Sequence, residues 1–311
     1  MIRTEALSRR YGPLLAVDNL SFEVSPGTVL GFLGPNGAGK STTMKMLAGF
    51  ISPSAGRALV GGHDVARDPL AVKRLIGYLP EGAPSYGEMT VAGFLGFVAD
   101  LRGLRGAARR TRLAEVSDRL SLGGVARQTI ETLSKGFRRR VGLAQAILHD
   151  PSILILDEPT DGLDPNQKHE VRTLIREMAH DKTIIISTHI LEEVDALCNR
   201  VMIIGRGRLL ADDDPRGLEA RSRYHRAVSL RLRDATQLAA AQAALASLPG
   251  VAAIERDAQR LTVLPRDGAP ILYAVTELAR QQGWTIAELH LESGRLDEVF
   301  RRITTEAPPC E

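Results

Sequence analysis

The sequence predicts an α/β fold built around a parallel sheet, with a helical insertion and a small α+β domain behind it. Three observations predict it. Short apolar runs rich in β-branched residues at 153–156, 183–187 and 201–204 alternate with helically spaced stretches at 165–179 and 191–197, as in strands buried on both faces by crossover helices. A glycine-rich turn at 34–41 joins an apolar run at 29–33 to a helix start at 42–48. Beyond Asp214-Pro215 the order of elements becomes β-α-β-β-α-β, that of a ferredoxin-like domain. At 311 residues the chain exceeds one ordinary core, so two folding units are expected.

Taken in order, residues 1 to about 80 read as strand-rich, with strands at 15–24 and 29–33 parted by Ser25-Pro26-Gly27. From 90 to 122 the apolar positions turn helical, at Val91, Phe94, Leu95 and Val98, then Leu113, Val116 and Leu120. Arg102-Gly103-Leu104-Arg105-Gly106 interrupts them, which predicts two helices inside an insertion at about 82–150. The first domain is placed at 1–220 and the second at 226–305. In the second, strands are expected at 227–232, 251–256, 260–264 and 285–291, and helices at 236–248 and 270–282. Its apolar helix at 238–248 and the stripe Leu296, Val299 and Phe300 read as surface for association with a partner subunit or the first domain.

Composition narrows the function. The longest apolar runs fall far short of the ~20 residues that span a bilayer. Arg3, Arg9 and Arg10 are not followed by the apolar core of a secretory signal, so a cytoplasmic chain is expected. A net charge of +3 is too small to demand a polyanion, and no nucleic acid is expected as partner. Cys198 and Cys310 form no metal-ligand spacing.

The chemistry concentrates in two motifs. Gly34-Pro35-Asn36-Gly37-Ala38-Gly39-Lys40-Ser41 satisfies the phosphate-loop pattern in full, with a strand before it and a helix after it. Glycines let backbone amides converge on phosphate oxygens, the helix N-terminus adds its positive end, and Lys40 adds a formal charge. Asn36, Gly37, Ala38, Gly39, Lys40, Ser41 and Thr42 are therefore candidates for binding a nucleoside triphosphate, with Ser41 as a Mg2+ ligand. The second motif is the strand at 153–156 ending in Asp157-Glu158. Ligands of open α/β sheets bind at the carboxyl ends of strands, which predicts Asp157 on the metal and Glu158 polarising a water.

A third segment, Leu133-Ser134-Lys135-Gly136-Phe137, resembles the L-S-G-G-Q signature of ATP-binding cassette proteins, the nucleotide-binding subunits of ABC transporters. The resemblance extends to Tyr11-Gly12, similar to the aromatic loop that stacks on adenine, and to Pro80-Glu81, at the glutamine loop. Thr160-Asp161-Gly162-Leu163-Asp164 resembles the D-loop and Ser187-Thr188-His189 the switch histidine, all in family order over residues 1 to about 210. It implies catalytic roles for Glu158, His189 and Glu81, a metal contact for Glu81, adenine stacking for Tyr11, and γ-phosphate contacts for Ser134 and Gly136. It also implies a head-to-tail dimer, most simply a homodimer, and transmembrane permease subunits docked near 81–90 and Phe94, so that the chain sits on the inner face of the cytoplasmic membrane. The small second domain and Leu296-Asp297-Glu298-Val299-Phe300 resemble the drug- and natrium-exporter-like branch, with relatives in gliding and copper-enzyme maturation. A non-transport ABC ATPase of translation or DNA maintenance is the rival, but its resemblance calls for two cassettes or a long coiled coil.

Two positions depart from the pattern. Glu81 stands where glutamine is common, and Lys135 replaces the first signature glycine. Lys135 is expected to face solvent, and Arg138, Arg139 and Arg140 to form a solvated or phosphate-facing helix start.

Overall fold

Among the described residues, ten strands and seven α-helices make up the first of two compact units, residues 1–213. The computed structural model describes residues 1–82 and 86–306. The chain opens with β1 (Ile2–Tyr11) and β2 (Leu14–Val24), an antiparallel hairpin turned at Gly12-Pro13 with Gly12 at φ +55°. Then come β3 (Val29–Leu33), α1 (Lys40–Leu47), β4 (Ala55–Val60), β5 (His63–Asp64), α2 (Pro69–Leu75) and β6 (Ile76–Leu79). Helices α3 (Val91–Leu101), α4 (Gly106–Arg119) and α5 (Lys135–Ile147) follow, the first two separated at 102–105 where glycine breaks the period. The unit closes with β7 (Ile153–Asp157), α6 (Pro165–Met178), β8 (Thr183–Ser187), α7 (Leu191–Leu197), β9 (Arg200–Gly205) and β10 (Arg208–Asp213). Caps fix several helix starts: Thr90 accepts from Gly93 N–H, Ser134 from Phe137 N–H and Asp164 from Gln167 N–H.

Two sheets result. A six-stranded sheet runs β10-β9-β3-β8-β7-β6, parallel from β9 to β6, with every residue of β3, β6, β7 and β8 buried. A four-stranded antiparallel sheet runs β2-β1-β4-β5. Helices on both faces of the parallel sheet were the expectation; instead one face shares its core with the antiparallel sheet. Phe32, Ile155, Ile185 and Met202 pack there with Ile2, Leu20 and Val60, together with Met44 and Leu47 of α1. The reason lies in β1 and β4, whose half-buried alternation suits a sheet with one wet face. Along the parallel sheet the order β3-β8-β7-β6 brings four loops to one edge: 34–39, 188–190, 158–164 and 80–82.

The second unit, residues 214–305, contains α8 (Pro215–Ala220), β11 (Val228–Leu232), α9 (Leu238–Ala246), β12 (Val251–Asp257), β13 (Arg260–Pro265), α10 (Leu272–Gln281), β14 (Ile286–Leu291) and most of α11 (Leu296–Glu306). Its antiparallel sheet runs β12-β13-β11-β14. The helical stripe at 238–248, read as association surface, is corrected here. Leu238, Ala241 and Leu245 are buried in this unit's own core with Val228, Leu261 and Val275, and Leu296 and Val299 are buried too. An isolated four-stranded sheet needs one covered face, and Leu238, Ala241 and Leu245 help supply it. The large apolar side chains left exposed in this unit are Tyr273, Leu289 and Leu291. No described helix in either unit is long and apolar enough to cross a membrane. Cys198 is buried, and Cys310 lies outside the described residues.

Candidate active site

The loop from β3 to α1 is shaped by what only glycine can do at two positions. Gly39 sits at φ +102°, and a Cβ on it would lie 2.5 Å from the Ala16 carbonyl of β2; a Cβ on Gly34 would collide with the Ile204 carbonyl of β9. The loop is thus wedged between two strands. It is closed by Ala38 N–H to the Pro35 carbonyl at 3.1 Å and by Gly207 N–H to the Ala38 carbonyl at 2.9 Å. Asn36 and Gly37 stand exposed at its tip, and Ser41 and Thr42 occupy the first turn of α1, where helix amides lack intrahelical partners.

Lys40 is buried, with Nζ donating to the carbonyls of Gly34 at 2.6 Å and Pro35 at 3.1 Å. Burial pulls its ammonium below the ordinary lysine range, and the carboxylates of Glu158, Asp157 and Glu81 oppose that shift. Lys40 therefore faces three acids. Asp157, at the end of β7, is 2% exposed. Its Oδ1 accepts from Ser187 Oγ of β8, while its Oδ2 is buried without a hydrogen-bond partner. An orphaned buried carboxylate oxygen is costly, and a hard divalent cation satisfies it. Asp157 with the Ser41 hydroxyl is a donor set that fits Mg2+.

Glu158 follows in a left-handed conformation, φ +52°, rare for a side chain with a Cβ. Its amide is held by the Ser187 carbonyl at 3.0 Å and Ser187 Oγ at 3.2 Å. This turn aims its carboxylate across to the loop after β8, where Oε1 lies 2.8 Å from Nδ1 of the exposed His189. A carboxylate oriented by an imidazole and open to solvent can accept a proton from water. Glu81 is exposed just after β6, its charge acting on Lys40.

Two further side chains in this cluster escaped the sequence reading. Glu193 of α7 is buried and accepts from Thr160 Oγ1 and, at 2.8 Å, from Thr188 Oγ1, tying the loops after β7 and β8 together. Its signal was an acid in the apolar spacing Ile190, Val194, Leu197. Arg139 corrects the solvated half of the reading of the arginine run as a solvated or phosphate-facing helix start: it is 6% exposed and donates to the carbonyls of Pro80, at 2.9 Å, Asp157 and Glu158. Arg140 is equally buried, on the Leu120 carbonyl and Glu170; only Arg138 is exposed.

Ser134, Gly136 and Tyr11 have other neighbours. Ser134 caps α5, and Gly136 lies against Gln167 and Leu163, none of them in the Lys40 cluster. Tyr11 ends β1 with 42% of its surface exposed, the Arg9 guanidinium 4.6 Å from its ring centre. Lys135 remains largely exposed, yet it is not solvated alone: Nζ reaches Asp161 Oδ2 at 2.7 Å, holding that carboxyl below its usual range, and its stem covers Gly162. Exposed pairs are worth about 0–1 kcal/mol. Lys135→Ala is accordingly expected to lower the unfolding free energy by under about 1 kcal/mol in urea titration; a larger loss would show the pair to be structural.

Comparison with known proteins follows the same line. The ABC transporter family model matches residues 17–161. The daunorubicin resistance ATP-binding protein DrrA3 of Streptomyces coeruleorubidus is 36% identical over 97% of this chain and 95% of its own length. The linearmycin resistance ATP-binding protein LnrL of Bacillus subtilis is 35% identical over 68% of each. Among solved structures, an ATP-binding subunit of an ABC transporter aligns with TM-score 0.67 at 30% identity, covering 70% of this chain and 92% of that one. A dimeric bacterial ABC transporter cassette aligns with TM-score 0.65 at 23% identity over 69% and 98%, a likeness of fold.

Proposed function

The chain belongs to the ATP-binding proteins of ABC transporters, an ATP-hydrolysing subunit that powers a separate transporter, and from that premise we propose how its residues do so. The observation that carries the reading is the cluster at one sheet edge: buried Lys40, the unpartnered Asp157 Oδ2, and Glu158 paired with His189. Lys40 and the amides of 37–42 bind the triphosphate. Mg2+, when bound by Asp157 and Ser41, neutralises charge on the phosphates. Glu158 accepts the proton of the attacking water, His189 holds that carboxylate in place, and Glu81 borders the site from the next loop. Tyr11 offers an exposed ring for the base. Ser134 and Gly136, remote from this cluster, act on the nucleotide of a second copy, so that two chains close around two ATP molecules and separate after hydrolysis.

Purified chain should release phosphate from ATP in the presence of Mg2+ and stop when the metal is chelated. Release indifferent to chelation, or none from folded chain, would overturn the site assignment.

The permease subunits dock, in this reading, on a groove of about 430 Å³ lined by Tyr86, Phe94, Phe97, Leu101, Arg102 and Gln145. Tyr86 stacks edge-on against Phe97 at 5.7 Å and stays largely exposed. Ala83, Pro84 and Ser85 of the expected docking segment lie outside the described residues. Phe97→Asp is expected to leave phosphate release by the isolated chain unchanged while weakening its co-sedimentation with membranes carrying the permease; undiminished binding would place the contact elsewhere. That contact puts the chain on the inner face of the cytoplasmic membrane, and the drug-resistance names of the relatives favour export.

The sheet order β12-β13-β11-β14 supports a ferredoxin-like accessory domain at 226–305, and α3 to α5 support the helical insertion at about 82–150, within a cassette at 1–220. The accessory domain acts in association and touches no nucleotide. The exposed Leu289 and Leu291 on its edge strand β14 and the exposed Tyr273, rather than the buried stripe at 238–248, are apolar surface available for it.

A further inference from the structure

We propose that Arg139 is a positioning residue for hydrolysis: its guanidinium bridges the loop after β6 to the end of β7 and holds Glu158 in the left-handed backbone conformation that aims its carboxylate at His189. The inference rests on the ATPase reading above and deepens it.

Helix α5 turns Arg139 inward by its periodicity. Gly136, Arg139, Arg140, Leu143 and Ile147 form its buried stripe, while Arg138 falls outside it. Arg140 leaves along the other side, to Leu120 and Glu170. Arg139 alone reaches the sheet edge, where Nη1 meets the Pro80 carbonyl at 2.9 Å and Nη2 meets the carbonyls of Asp157 and, at 2.5 Å, Glu158. Strands β6 and β7 are paired there, Leu79 beside Leu156, so one side chain clamps both of their ends.

The clamp matters because Glu158 is strained. A residue with a Cβ keeps a positive φ only where its surroundings enforce it. The Glu158 amide is fixed by Ser187, and its carbonyl by Arg139. With the carbonyl released, the backbone can relax and swing the carboxylate away from His189. A planar, forked guanidinium can serve carbonyls of two loops at once; an ammonium is a point donor and cannot. Burial lowers the pKa of Arg139, while Asp157, Asp161, Glu158 and Glu81 oppose that and keep it a cation.

Arg139→Lys and Arg139→Gln separate fork from charge. Both are expected to lower kcat by about tenfold to a hundredfold, the scale of an ångström-level misplacement, with the KM for ATP and equilibrium nucleotide affinity within about twofold of the parent. In a Glu158→Gln background, single-turnover hydrolysis should fall no further, because Arg139 acts through that carboxylate. Hydrogen exchange of the nucleotide-free chain should quicken at 156–162 in both variants, a readout that needs no catalysis. A folded Lys variant with full kcat, an undiminished additional loss beside Glu158→Gln, unchanged exchange at 156–162, or loss of the fold by the Lys variant would each overturn the proposal. A parent chain that exchanges as expected but does not hydrolyse ATP would instead sink the ATPase reading.

Discussion

Replacing Glu158 by Gln is expected to cut ATP turnover by about a thousandfold while leaving ATP binding intact, the largest kinetic effect of any single change in this site. The substitution keeps shape and removes the proton acceptor. Gln Oε1 can still accept from His189 across the 2.8 Å contact, so the loops after β7 and β8 stay in register. Nothing in the phosphate loop changes, since Lys40 is held by the Gly34 and Pro35 carbonyls and Asp157 by Ser187. Because hydrolysis is the step that removes the γ-phosphate, ATP should persist and a doubled mass should accumulate in sedimentation velocity with ATP, but not with ADP. Turnover within a few-fold of the parent would remove Glu158 as the base and shift attention to Glu81, a further acid near Lys40.

What could be read in advance follows from how local its causes are. The phosphate loop was legible because Gly34 and Gly39 are required by backbone geometry and lie within six residues of the lysine they frame. The strands at 153–157 and 183–187 were legible because continuous β-branched runs have few alternatives to a buried parallel sheet. Arg139, Arg140 and Glu193 were not, because a buried charge is decided by its partners, here carbonyls of Pro80, Asp157 and Glu158 and hydroxyls of Thr160 and Thr188 from distant loops. The same non-locality hid the second sheet: β4 becomes a strand by pairing with β1 some fifty residues earlier, Ile2 opposite Val60. It also misdirected the stripe Leu238, Ala241, Leu245, apolar for the unit's own core and not for a partner.

Lys40→Ala is the complementary prediction, with its effect on binding. In the nucleotide-free chain Lys40 Nζ is satisfied by two carbonyls at 2.6 and 3.1 Å, neutral dipoles that a triphosphate outcompetes because it offers full negative charge. The ammonium has three donors and the two carbonyls engage two of them, so a phosphate can take the third and outcompete the dipoles for the others. A hydrogen bond to a charged group is worth about 1.5–3 kcal/mol, and Lys40 can reach two phosphates, which puts the loss near 3–6 kcal/mol, or about a hundredfold to ten-thousandfold in affinity. The mutation also leaves Glu158, Asp157 and Glu81 with Arg139 but without the second buried cation that faces them, so their repulsion adds to the penalty for an anionic ligand. Fold should survive, since Gly34, Ala38 and Gly39 are anchored to β2, β9 and the turn at Gly207 by contacts that do not involve the side chain. Equilibrium titration with a fluorescent ATP analogue, beside a thermal melt of the same sample, checks both halves. An unchanged dissociation constant in a folded variant would mean that the triphosphate does not bind at this loop, and the roles given to Asp157, Glu158 and His189 would fall with it.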